Sequence, residues 1–182
     1  MSNAIPGLRS CRVMLIEDDP DDVYLFERAL DRVKAGIGRE VVLERAGDGL
    51  DAAYRISVED LTGRLPDVLV LDLNMPRLDG VKFLHALRGT FALSSLPVVV
   101  LTTSSAKAVH DEALKAGADK VYVKPDSADA LLEIAAEIID RGVVYRQSRD
   151  RAPCGAFTRR RQRRCAQPVS SRSRPHGGAR CG

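Results

Sequence analysis

The stretch PDVLVLDLNMPRLDG, Pro66–Gly80, carries the first structural signal in the chain. Val68–Leu71 is a run of four apolar residues with no polar alternation. A short run of that kind reads as a strand covered on both faces, as in a parallel sheet. Asp72 ends it, and a loop holding Asn74, Pro76 and Gly80 follows. Apolar residues then recur at Val81, Leu84 and Leu87, the spacing of an amphipathic helix.

The same unit repeats in both directions. Upstream, Val13–Ile16 is a second apolar run, closed by Glu17, Asp18 and Asp19. Pro20 suits a first helical turn, where its missing N–H costs nothing, and Val23, Phe26, Leu30 and Val33 form a stripe. Val41–Ala46 reads as another strand. After the turn Gly47–Gly49, the spacing of Leu50, Ala53, Tyr54, Val58 and Leu61 predicts a helix with these residues as its stripe. Downstream, Val98–Leu101 leads through a loop of small residues to a helix through Val109 and Ala113, ended by Gly117. Val121–Val123 is followed by Lys124-Pro125 and a helix through Leu131, Ile134, Ala135 and Ile138.

Five strands alternating with five helices predict an α/β fold, a doubly wound parallel sheet with helices on both faces. Ligands of such sheets lie beyond the carboxyl ends of the strands. The residues just after each strand are therefore the candidates for chemistry.

The net charge of +3 conceals a division. Residues 1–140 hold 16 Lys+Arg against 24 Asp+Glu, a net of −8, whereas residues 141–182 hold 12 Arg against Asp150 alone, a net of +11. The second segment is rich in Arg, Ser, Gly and Pro and has no strand or helix period, so it cannot bury enough apolar area to offset its ordering entropy. The expected organisation is an N-terminal extension over 1–10, a folded domain over 11–148 and a basic, disordered tail over 149–182. The run Arg159–Arg164 lacks aromatic interleaving or a recognition fold, so a solvated tail is favoured over a nucleic-acid partner. Cys154, Cys165 and Cys181 lack the paired spacing of a zinc site. No apolar run approaches the roughly 20 residues of a membrane span, and the first ten residues lack a secretory pattern. A cytoplasmic protein is expected, without a membrane partner.

Glu17, Asp18 and Asp19 follow the first strand, Asp72 the third, Thr102 and Thr103 the fourth, and Lys124 the fifth. The inferred topology brings them to one rim. Crowded carboxylates repel and raise one another's pKa, and a divalent cation relieves that. Mg²⁺ typically takes one or two carboxylates, waters and a phosphate oxygen. A lysine and a hydroxyl alongside can stabilise a transferring phosphoryl group, and a carboxylate can be its nucleophile. At Asp19 and Asp21 the competing reading is simple capping of a helix N-terminus. His85 and His110 stand at no ligand spacing and are expected to face solvent.

The segments MLIEDDP, PDVLVLDLNMPRLDG, PVVVLTTSSA and VYVKP resemble the four signature blocks of response-regulator receiver domains of two-component signalling. Asp72 stands 30 residues before Thr102 and 52 before Lys124, spacings similar to those of the single-domain chemotaxis regulators. The resemblance covers about residues 11–140. The EDDPDD opening is most similar to small regulators that work with phytochrome-type kinases. It implies the flavodoxin-like strand order 2-1-3-4-5, with Asp72 as phosphoacceptor and Mg²⁺ held by Glu17, Asp18, Asp72 and the backbone carbonyl of Asn74. It further implies that Thr102 bonds the phosphoryl group, that Lys124 pairs with it, and that the Lys124–Pro125 bond is commonly cis. Implied partners are a sensor histidine kinase, a downstream protein and, in some members, a second copy in a homodimer. Such a domain is a phosphoacceptor that catalyses only its own phosphotransfer and dephosphorylation.

One position departs from the family. Three residues before the lysine stands Val121 in place of an aromatic, with Tyr122 one place later. Side chains alternate along a strand, so Tyr122 is expected on the opposite face from Val121. Readout is then expected through the Thr102 loop and the following helix rather than through a swinging ring. Other functions fit less well. A nucleotide or flavin site wants glycines and hydroxyls after the first strand, where this chain has three acids. A dehalogenase-type phosphatase wants a second Asp where Asn74 stands. The nearest competitor is a receiver-like scaffold no longer controlled by phosphorylation.

Overall fold

The computed structural model describes residues 10–37, 40–75, 79–90, 93 and 95–151, with side chains to Arg149. The strands are β1 (Cys11–Ile16), β2 (Val41–Ala46), β3 (Val68–Leu71), β4 (Val98–Thr102) and β5 (Lys120–Val123). The helices are α1 (Pro20–Ile37), α2 (Gly49–Thr62), α3 (Gly80–Arg88), α4 (Lys107–Ala116) and α5 (Ala128–Arg151). All strand pairs are parallel and the order is β2-β1-β3-β4-β5, the doubly wound order expected.

Strand alternation divides the core into two layers. Met14, Ile16, Leu69, Leu71, Val98 and Val100 face α2, α3 and α4. Val13, Leu15, Val68, Val70, Val99 and Leu101 face α1 and α5. Both sides of β1, β3 and β4 are thus apolar because both are covered. The stripe of α1 is buried as expected, at Val23, Phe26, Leu30 and Val33.

The stripe of α2 is not. Leu50, Ala53, Tyr54, Val58 and Leu61 all point to solvent, Tyr54 at 71% and Leu61 at 75% exposure. The buried face is instead Gly49, Ala52 and Ile56. Ile56 is the one large side chain of that face, beside the small Gly49 and Ala52, and the other large side chains of the helix are left outside.

The helix α5 runs to Arg151, past the expected boundary at 148. Its last turns are tied to the sheet: Arg146 donates to the carbonyl of Ser10 at 2.7 Å and to Asp67 at 2.8 Å. Gly142 permits the approach, since a Cβ there would lie 2.9 Å from the Cys11 sulfur. Residues 1–9 of the expected 1–10 extension and residues 152–182 of the expected 149–182 tail, with its three cysteines and Arg run, lie outside the described residues. None of the described helices is long and apolar enough to cross a membrane.

Candidate functional site

The parallel ladders end in step at one rim. The N–H of Glu17 donates to Ala46, that of Asp72 to Ile16, and that of Lys124 to Thr102. Side chains from β1, β3, β4 and β5 are thereby set side by side. Carboxylate oxygens of Glu17, Asp18 and Asp72 lie within 4.8 Å of one another. Glu17 and Asp72 are buried and Asp18 is exposed. A set of hard anionic oxygens, one side open to solvent, fits Mg²⁺.

Among the described residues, Lys124 is the cation of this rim. Its Nζ donates to Asp22 at 2.6 Å, to Glu17 at 2.8 Å and to Asp72 at 3.3 Å. Burial works against its charge, but the hydrogen bonds it donates to Asp22 and Glu17 and the charge of Asp72 carry its pKa above the ordinary lysine range. Burial pushes Glu17 up from its usual value, against the lowering effect of Lys124 and the N–H of Asp19.

The two oxygens of Asp72 are held separately. One accepts from the backbone N–H of Asn74 at 3.2 Å, the other from Lys124. The Asn74 amide donates to Thr103 at 3.1 Å and reaches Thr102 at 3.5 Å, tying the loop after β3 to the end of β4. The Thr102 hydroxyl is fully buried and accepts from the N–H of Ser104. Gly80 keeps the Asp72 loop against α3, since a Cβ there would lie 2.8 Å from the backbone of Leu73 and 2.9 Å from the carbonyl of Asp72.

Other expectations are sorted by the same geometry. Asp19 caps α1, its side chain accepting from the N–H of Asp21 at 2.8 Å, so the capping reading holds there. Asp22 was not singled out by motif. The available signal was its place in the first turn of a helix that starts directly above the end of β1. His110 is only partly exposed, and its Nε2 lies 2.7 Å from the carbonyl of Ser104. It thus links α4 to the loop after Thr102, contrary to the solvent-facing expectation. Tyr122 packs on the α1/α5 side, with its hydroxyl donating to Glu137, while Val121 packs on the other side. The pairing of β4 with β5 is unbroken, so no bulge shifts the register. No described peptide bond is cis, the Lys124–Pro125 bond included.

The response regulator receiver domain model matches residues 13–136. The transcriptional regulatory protein PrrA of Mycobacterium tuberculosis is 40% identical over 119 residues, 65% of this chain and 46% of that protein. PrrA of Mycobacterium leprae is 35% identical over 150 residues, 82% of this chain and 59% of that protein. The chain thus spans about half the length of these relatives. The fold is similar to the phosphorylated cyanobacterial phytochrome response regulator RcpA, with a TM-score of 0.63, 26% identity and coverage of 74% and 95% of the two chains. It is also similar to RPA3017, a response regulator in red light signaling of R. palustris, with a TM-score of 0.62, 26% identity and coverage of 70% and 90%. The chain belongs to the response-regulator receiver family, the signalling domain of two-component systems.

Proposed function

We propose that this protein accepts a phosphoryl group on Asp72, from a phosphohistidine of a sensor histidine kinase, and signals through the resulting change in conformation. The observation that carries the reading is Lys124, delivered by β5 against Glu17 of β1 and Asp72 of β3. It meets carboxylates from two strand ends and from the first turn of α1 at once. The kinase is of the phytochrome type in this proposal, on the likeness to RcpA and RPA3017, and the setting is cytoplasmic.

Glu17, Asp18, Asp72 and the carbonyl of Asn74 would hold Mg²⁺. That ion supplies charge neutralisation around the transferring oxygens. An oxygen of Asp72 forms the new O–P bond as the N–P bond of the phosphohistidine breaks, and the departing imidazole takes a proton from water. Lys124 offsets the charge gathered on the phosphoryl oxygens, and Thr102 donates its hydroxyl to one of them. To do so Thr102 exchanges its contacts with Ser104 and Asn74, which moves the loop that His110 ties to α4. The signal is read on the surface of α4, β5 and α5, by a downstream protein or a second copy. Tyr122 is held by Glu137 on the far side of β5, so it is not the moving part.

A small phosphodonor with Mg²⁺ should add one base-labile phosphoryl group. Asp72→Asn should abolish it and Asp18→Ala should nearly do so. Label persisting on another residue in Asp72→Asn would reject the assignment. If Tyr122→Ala uncouples phosphorylation from partner binding while phosphorylation and folding stay intact, the readout route is wrong.

A further inference from the structure

Lys124 has more partners than its proposed task requires, and the nearest is not at a strand end. Asp22, in the first turn of α1, lies 2.6 Å from its Nζ, whereas Asp72 lies 3.3 Å away. Pro20 and the Asp19 cap fix that turn, so Asp22 is presented by rigid backbone. Its side chain is 32% exposed, against 4% for Glu17 and 6% for Asp72. Asp22 can therefore be rehydrated at small cost if its partner leaves, which the two buried acids cannot. Lys124 itself is only 12% exposed, so its charge must stay among these carboxylates. Its long flexible stem allows the head to move between them.

Two demands of the phosphoacceptor reading, on which this inference rests, then conflict. Lys124 rests on one oxygen each of Glu17 and Asp72, where its positive charge competes with a cation for the same carboxylates. It must nevertheless stay close enough to meet a phosphoryl group on Asp72. We propose that Asp22 is a positioning residue: it is the alternate seat that Lys124 takes while Asp72 carries no phosphoryl group and vacates when one arrives. Asp22 accordingly eases cation entry and opposes retention of the phosphoryl group.

The experiment uses the full chain and calorimetry, since the protein has no tryptophan to report binding. The probes are Mg²⁺ alone, then beryllofluoride, a phosphoryl mimic, at saturating Mg²⁺. Asp22→Asn should weaken Mg²⁺ and tighten beryllofluoride, each by roughly three- to fivefold, the range of a partly exposed charge pair. Asp21→Asn, an exposed neighbour, reports the general effect of losing one negative charge and should change both much less. Asp22→Glu should restore wild-type behaviour. In a Lys124→Met background, Asp22→Asn should no longer alter Mg²⁺ affinity. An equal loss there would mean that Asp22 acts on the cation directly, which overturns the proposal. If Lys124→Met does not fold, the comparison of Asp22→Asn with Asp21→Asn decides, and equal effects overturn it. A wild-type protein that binds neither probe would instead bring down the phosphoacceptor reading, and this inference with it.

Discussion

At the carboxyl end of the sheet, Lys124 is one cation among Glu17, Asp22 and Asp72. At the amino end, Asp67 is one anion between the backbone N–H of Arg12 and the guanidinium of Arg146, and it is 1% exposed. Nearby, Arg12 also joins Glu44 of β2 to Glu59 of α2. Both ends knot distant segments together with charge. At the amino end Asp67 alone is sealed from solvent, held by donors from β1 and α5, while Arg12, Arg146, Glu44 and Glu59 stay partly exposed. Among the described residues the carboxyl end is surplus in acid, and it is open at Asp18. The amino end holds the fully buried Asp67 between donors fixed by the fold, whereas the carboxyl end gathers carboxylates that follow β1 and β3 within 4.8 Å of one another.

Removing an acid from each end should therefore give opposite results. Asp67→Ala removes the acceptor shared by the Arg12 N–H and Arg146, which keeps the Ser10 carbonyl and partial exposure, and should destabilise by about 1–3 kcal/mol, leaving phosphorylation of the folded fraction intact. Chemical denaturation with phosphodonor labelling checks both halves. Asp18→Ala should leave metal-free stability within about 0.5 kcal/mol, as for an exposed side chain, yet remove the rise in melting temperature that Mg²⁺ produces in the wild type. Equal destabilisation at the two ends would break the comparison.

The glycines sharpen it. Gly80→Ala drives a methyl into the backbone of Leu73 and Asp72 and should cost about 1–3 kcal/mol while slowing phosphorylation. Gly142→Ala meets the side chains of Cys11 and Val68 instead. Its overpacking is offset by about 1 kcal/mol of helix propensity, so the net loss should be smaller, with phosphorylation rates unchanged.

Glu59 gives the amino end a pH dependence. Burial, then the adjacent Glu44, raises its pKa to about 7. A carboxyl raised in the fold contributes most below its unfolded value of 4.5 and loses that contribution as pH climbs through 7. Glu59→Gln, neutral throughout, should flatten stability between pH 4.5 and 7 and exceed the wild type above it. Melting temperatures across that range test the sign. The smallest effect is expected from truncation after residue 148, which keeps Gly142 and Arg146 and should move the melting temperature by no more than a few degrees.

The order of elements, the parallel sheet and the residues of the carboxyl rim were legible in the sequence. Central strands of such a sheet are apolar on both faces, and loop chemistry gathers at their ends, so short local runs carry the information. The buried face of α2 was not legible, because Leu50, Tyr54, Val58 and Leu61 form a good stripe and nothing local says which stripe meets the sheet. The assembled fold buries Gly49, Ala52 and Ile56 instead. Nor could sequence pair Arg146 with Asp67, 79 residues apart, or Lys124 with Asp22, 102 residues apart. Hydrophobic period is a property of neighbouring residues, while the partner of a charge is whatever the assembled fold places beside it.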